Sequence, residues 1–338
     1  MRPDSAQARR REALARLIWP VAALALLLAF NLLFTERFFH IEVRDGHLYG
    51  TPIDILNHGS KVMLLALGMT LVIATAGVDL SVGAVMAIAG AVAAQLVHRP
   101  GMGFWPAVCA ALFVALLAGV WNGVLVAYFR VQPIVATLVL MVAGRGVAQL
   151  LTDGQIITFT DERLVFLGNG HLLGLPFPVT LVAATLLVAA LLARRTALGL
   201  FIEAVGDNET AARLAGIDAR GVKFATYACA GLCAGLAGLV AASNIKCADS
   251  NHAGLFLELD AILAVVIGGT ALTGGRFYLV GSLVGALLIQ TLTTTLYMRD
   301  VSADVAPVPK ALVVVAVCLL QAPAFRAELA RLIGRRPA

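Results

Sequence analysis

VMLLALGMTLVIATAGVDLSVGAVMAIAGAVAAQLV, residues 62–97, holds one charge, Asp79. A bilayer crossing takes about 20 apolar residues, so this stretch is long enough for two. The break falls in TAGVDLSVGA, residues 75–84. Gly77 suits a helix C-terminal cap, and Asp79 or Ser81 can accept backbone amides as the N-cap of the next helix. Two spans of about seventeen residues result, each about 26 Å long. Asp79 then has two readings. In one it holds a tight turn at or near the inner interface, its charge partly hydrated. In the other it marks a helix break deeper in the membrane and lines a polar path, since intramembrane acids are expensive and often functional.

The rest of the chain extends this pattern. Its 338 residues are 60% hydrophobic and 13% charged, with a mean hydropathy of +0.90. Soluble domains carry about 25% charge. The sequence is therefore that of an all-α polytopic membrane protein. The longest polar stretches, roughly 35–60, 152–176 and 194–222, are too short to bury cores of their own. Apolar runs place helices near 17–34, 60–77, 80–97, 104–129, 131–151, 177–193, 223–243, 259–271, 277–298 and 307–322, about ten in all. The basic N-terminus precedes a run that ends in NLLFTERFF without a small-residue cleavage site, so we read a retained first span. With both termini cytoplasmic, sixteen of the 25 Lys and Arg fall inside, eight outside (Lys61 among them), and Arg145 within a span. This inside excess orients the chain in an inner membrane. The formal net charge of +5 reflects that orientation and implies no nucleic-acid partner. The organisation is a basic cytoplasmic tail, 1–16, a transmembrane domain, 17–322, with a cytoplasmic loop at 194–222, and a second basic tail, 323–338.

Five cysteines form neither a disulfide framework nor a zinc spacing. Small-xxx-small pairs (Gly231/Gly235 and Ala234/Gly238, with Gly83, Ala87 and Ala91) suit close helix packing. VIGGTALTGGRF, residues 266–277, is a second Gly/Thr-rich interruption, in the other half of the chain. Paired interruptions point towards a transport path, and the halves are candidates for inverted repeats. Six histidines lie on the outer side without metal-pair spacing, and G-x-S-x-G is absent.

The longest inner loop, RRTALGLFIEAVGDNETAARLAGIDARGVK (194–223), carries helix signals. Asp207 or Asn208 caps a helix of about two turns, Glu209 opens it, Arg213 closes it and Gly216 ends it. Its small face, Ala211, Ala212 and Ala215, fits a docking knob for another protein as well as an ordinary connection. No lysine follows a glycine, so the chain has no phosphate loop for ATP.

Three stretches together, AGVDLSVGAVMAIAGA, AVGDNETAARLAGI and ELDAILAVVIGGTALTGGRF, resemble the sugar-uptake permeases of ATP-binding cassette (ABC) transporters, in the branch of ribose and xylose permeases. NGVLVAYFRVQPIVATLVLMVAGRGVAQLLTDGQ, 122–155, shares the likeness, which covers roughly 60–320 and is closest to permeases for galactofuranose. The resemblance implies a permease subunit, not an enzyme, that moves a monosaccharide of galactofuranose or ribose type. It implies a second permease chain, a periplasmic sugar-binding protein and cytoplasmic ATPase subunits. ATP and magnesium belong to the ATPase, and this chain holds no cofactor or metal. It makes the inner-loop helix the coupling helix, carried by Gly206, Asp207, Asn208, Glu209, Ala212, Arg213 and Gly216. Polarity within spans nominates path residues: Asp79, Ser81, Asn122, Gln132, Thr137, Arg145 and Gln149 in one half, Thr270, Thr273 and Gln290 in the other. Selectivity delegated to a binding protein leaves no need for a deep, tight sugar pocket. The alternatives are a proton-coupled secondary sugar transporter relaying through Asp79, and an intramembrane enzyme, for which no nucleophile or metal set is recognisable.

Overall fold

The computed structural model of the chain describes residues 4–44, 46–99, 102–302, 305–321 and 325. Helix α1 (Asp4–Phe34) leads into a hairpin, β1 (Glu42–Arg44) with β2 (His47–Tyr49). Four helices follow: α2 (Thr51–Ala74), α3 (Val82–His98), α4 (Phe104–Ala127) and α5 (Pro133–Thr152). Strand β3 (Ile157–Thr158), short helix α6 (Glu162–Asn169) and the hairpin of β4 (His171–Leu172) with β5 (Leu175–Pro176) lead to α7 (Phe177–Arg195). The inner loop holds α8 (Leu198–Asp207) and α9 (Glu209–Leu214). Then come α10 (Ala219–Ile245), β6 (Cys247–Ala248), which pairs with β3, α11 (Leu257–Ile267), α12 (Leu279–Tyr297) and α13 (Pro307–Gln321).

Among the described residues, seven helices are long and apolar enough to cross a membrane (α1, α2, α4, α5, α7, α10 and α12), and α3 and α13 are shorter apolar helices. With α11, the ten fall where the apolar runs put them, and their boundaries differ for physical reasons. Helix α2 begins at Thr51, nine residues before the apolar run, because Gly50 and Pro52 start it and the polar first turns carry Asp54, His58 and Lys61. Lys61 therefore lies within a span and not in an outer segment. Helix α1 continues through most of the basic stretch assigned to a tail, whose Ala, Arg and Glu are strong helix formers. The C-terminal tail, 323–338, lies outside the described residues save Phe325.

Helix α2 is the hub, buried without interruption from Val62 to Thr70 and packed by α7, α10, α11 and α12. Helix α10 lies against α2, α3 and α4, and the small-residue faces permit this. A Cβ on Gly68 would stand 2.8 Å from the Ala230 Cα, and one on Gly235 would stand 2.6 Å from the Ala115 Cβ. The apolar part of α1, Leu17–Phe34, and most of α7 present apolar side chains outward, as lipid-facing helices do.

Counting the shorter α3, α11 and α13 as crossings, five helices precede α6 and five follow it, an odd count that would run the two halves in opposite directions. In that order the counterpart of the 75–81 junction is the α10–α11 junction, 246–256, on the outer side. The 268–278 turn is not an inverted copy of the Asp79 turn, because both lie on the inner face. They are joined by direct contact instead.

Candidate functional site

Three backbone segments converge at the inner end of α2. The Gly275 amide donates to the Ala74 carbonyl at 2.9 Å. Gly206, at the end of α8, sits against both: a Cβ there would overlap the Ala74 oxygen and stand 2.5 Å from the Gly275 nitrogen. A Cβ on Gly274 would stand 2.7 Å from the Gly206 oxygen and 2.9 Å from the Ala76 Cβ. The two Gly-rich interruptions and the inner loop thus form one clasp. Thr270 closes the second turn, its hydroxyl accepting the Tyr278 amide at 3.1 Å, whereas Thr273 is exposed at the inner surface.

The inner-loop helix forms as its signals dictate. The Asn208 side chain accepts the Ala211 amide at 2.9 Å, and Gly216 ends the segment at φ 83°. The rest of the loop is more ordered than the sequence reading allowed, since α8 precedes α9. Its signal was present in the sequence: the apolar residues Leu198, Phe201, Ile202 and Val205 at helical spacing. The supposed docking face is also revised. Ala212 is buried with Val205, Ala219 and Val222 inside this chain, while Ala211, Leu214 and Ala215 face out. Glu209 accepts from Lys223 Nζ at 2.6 Å and from Arg213, which fastens α9 to α10. The Lys223 hydrogen bond holds the Glu209 carboxyl below its usual range. Gly206, Glu209 and Ala212 therefore point inward, and Asp207, Asn208, Arg213 and Gly216 face out.

Asp79 is 1% exposed, which corrects the partly hydrated turn. Its Oδ1 accepts the Ser81 amide at 2.9 Å, the Ser81 hydroxyl at 2.6 Å and Asn122 Nδ2 at 3.3 Å. Asn122 also donates to the Ser81 hydroxyl oxygen at 2.8 Å. This is an Asx-type turn. Ser81 holds the N-cap position without a side-chain cap bond. Tyr227, fully buried on α10, donates to the Val78 carbonyl at 3.3 Å, and Thr137 on α5 packs over the same carbonyl. Water is excluded because α4, α5 and α10 close over the turn, a fact that local spacing does not contain.

The remaining path candidates separate. Arg145 on α5 donates to the Ala253 carbonyl, and Gln149 one turn on donates to Asn251 Oδ1 at 2.9 Å. Both join α5 to the α10–α11 junction. Gln132 is exposed at the inner end of α5, and Gln290 lies against Gly59 of α2.

Sequence reasoning passed over the 246–256 junction. From β6 it descends beside α3 until Gly254 packs on Gly83, in the first turn of α3. Irregular backbone at membrane depth survives only when buried in protein or lining a cavity. This descent is why α11 is short. Glu258 in its first turn is 7% exposed, its Oε2 lacks a hydrogen-bond partner, and Arg145 is a charged neighbour. Its sequence signal was two acids, Glu258 and Asp260, heading an apolar run. Asp260 pairs with Lys310 of α13 at 3.0 Å. At the outer surface His47 and His171 stack 4.4 Å apart, pairing two histidines that the sequence scatters.

Comparison with known proteins places this architecture. The family described as branched-chain amino acid transport system / permease component matches residues 51–321. The galactofuranose transporter permease protein YtfT of Escherichia coli (strain K12) is 50% identical, over 96% of this chain and 94% of its own. The fructose import permease protein FruF of Bifidobacterium longum is 40% identical, over 91% and 88%. The ribose import permease protein RbsC of Escherichia coli (strain K12) is 39% identical, over 88% and 91%. No solved structure matches the chain.

Proposed function

We propose, from the premise that this chain belongs to the branched-chain amino acid transport system / permease component family, that its cargo is galactofuranose or a closely similar monosaccharide. The chain is a multi-pass inner-membrane permease of the ABC sugar-import branch, and not an enzyme. The relatives are import permeases, which favours ATP-driven import over proton-coupled transport. ATP hydrolysis belongs to a separate ATPase subunit that holds ATP and magnesium, and a periplasmic binding protein delivers the sugar. A second permease chain packs on the exposed apolar face of α5 that carries Val135, Val139 and Val142.

The observation that carries this reading is the inner clasp. Helix α9 offers Asn208, Arg213, Leu214 and Gly216 to the cytoplasm, while Gly206, eight residues before Leu214, touches the inner ends of the α2 and α12 hairpins. A push on α9 passes through backbone contacts into two hairpins at once. Packed elements of this kind shift between discrete arrangements and do not deform continuously.

The test is reconstitution with an ATPase and a sugar-binding protein. An Asn208→Pro, Glu209→Lys double variant is expected to insert normally and to allow ATP hydrolysis without sugar uptake. Unchanged uptake would overturn the coupling assignment. Uptake by the chain alone, driven by a proton gradient, would favour the secondary-transporter reading.

A further inference from the structure

The α10–α11 junction borders a half-open cavity of about 220 Å³ against α2, α3 and α10. Its walls are mostly small: Ala87, Gly90, Gly238, Ala241 and Gly254. Its charged or titratable groups include Lys61 from α2, Asp249, and His252, whose side chain is largely exposed. Lys61 lies about 15 Å along the helix axis from Thr51. Among the described residues it makes no hydrogen bond or ion pair. An ammonium held within a span without a partner carries a large desolvation cost and marks a functional position by default. Cys247, partly exposed, lies on the same wall.

The chemistry of this set discriminates among ligands. Lys61 offers three donors and no acceptor. Asp249 is an acceptor, already bonded to His252 Nδ1 at 2.9 Å. A free anion would meet Lys61 favourably but also face the Asp249 carboxylate in the same lining. A neutral polyol satisfies both, because each hydroxyl both donates and accepts. A half-open cavity of about 220 Å³ has room for one sugar ring. The irregular 249–254 backbone at this depth is explained as the wall of an occupied polar cavity.

We propose that this cavity is a weak monosaccharide subsite on the outer side of the permease, with Lys61 hydrogen-bonded to ring hydroxyls and Asp249 accepting from one. It is the first station of the sugar after delivery, and so rests on the transport reading above. At the binding efficiency usual for small ligands, a sugar of twelve heavy atoms would bind with a Kd on the order of a few mM.

Cys247 supplies the readout. The full chain in lipid nanodiscs is alkylated with a small maleimide, and Cys247 modification is followed at the peptide level by mass spectrometry. D-Galactose, D-ribose or D-fructose at 100 mM should slow Cys247 modification about tenfold or more. Sucrose, too large for the cavity, and sodium phosphate should not. Lys61→Met should abolish protection, and so should Ala241→Leu, which fills the cavity without removing the charge. Equal rates with and without monosaccharide, protection by sucrose or phosphate, or protection that survives in both variants would overturn the subsite. ATP-driven uptake by the assembled transporter is measured in parallel. Intact uptake without protection sinks the subsite alone. Protection without ATP-driven uptake sinks the transport reading instead.

Discussion

Gly206→Ala tests the clasp with a single methyl group. The added Cβ would overlap the Ala74 carbonyl oxygen and lie 3.0 Å from its carbon and 2.5 Å from the Gly275 nitrogen. None of these atoms ends a flexible side chain, so backbone must move. Overpacking of this kind costs about 1–3 kcal/mol. The move also opens the 2.9 Å bond from the Gly275 amide to Ala74, where both residues are buried. Leaving that pair unsatisfied adds about 1–3 kcal/mol. The total, about 2–6 kcal/mol, falls on the inner clasp alone and leaves the α2–α10 core untouched. We expect a lower thermal unfolding midpoint in detergent, and reconstituted transporter that hydrolyses ATP with sugar uptake reduced at least tenfold. Gly154→Ala is the control. Gly154 also departs from ordinary backbone, at φ 67°, but nothing lies within 4 Å of its added Cβ. Only local strain of about 1–2 kcal/mol applies there, and uptake should fall far less. Wild-type melting and uptake in Gly206→Ala would refute the clasp as a load path.

Two further outcomes follow from the same contacts. Asp79→Asn should retain most uptake, because the amide oxygen can still accept the Ser81 amide and hydroxyl. Asp79→Leu strips acceptors from buried donors at about 1–3 kcal/mol each, and should lower the melting temperature as well as uptake. Loss of uptake in Asp79→Asn with normal expression would point to a role for the charge itself. Glu209 sets a pH dependence. Lys223 lowers its folded carboxyl pKa, so the contribution of the pair is fully present above the unfolded glutamate value of about 4.3 and fades as pH falls through the depressed folded value. Unfolding curves of wild type and Glu209→Gln should therefore differ by a constant amount from pH 6 to 8 and converge only in acid. Convergence near pH 7 would contradict the pairing.

Much of the site was legible in local sequence. Asn208, Glu209, Arg213 and Gly216 spell a short capped helix, and that helix forms, because capping and first-turn charge act within a few residues. Partnership was not legible. Ala211 and Ala212 are adjacent and alike in the sequence, yet one faces the cytoplasm and the other a small core of its own chain. Arg145 and Ala253, 108 positions apart, meet only because α5 and the descending junction share a wall.

What the sequence determined by itself is the set of apolar helices. The cost of placing backbone amides and charges in hydrocarbon is paid residue by residue, so composition along the chain is enough to fix it. Tertiary structure decided that the two Gly-rich interruptions share one clasp under Gly206, that Asp79 is sealed from water, and that Lys61 faces a cavity. These depend on how closely helices approach, and approach is set by pairs of small residues on different helices whose partners no single segment specifies.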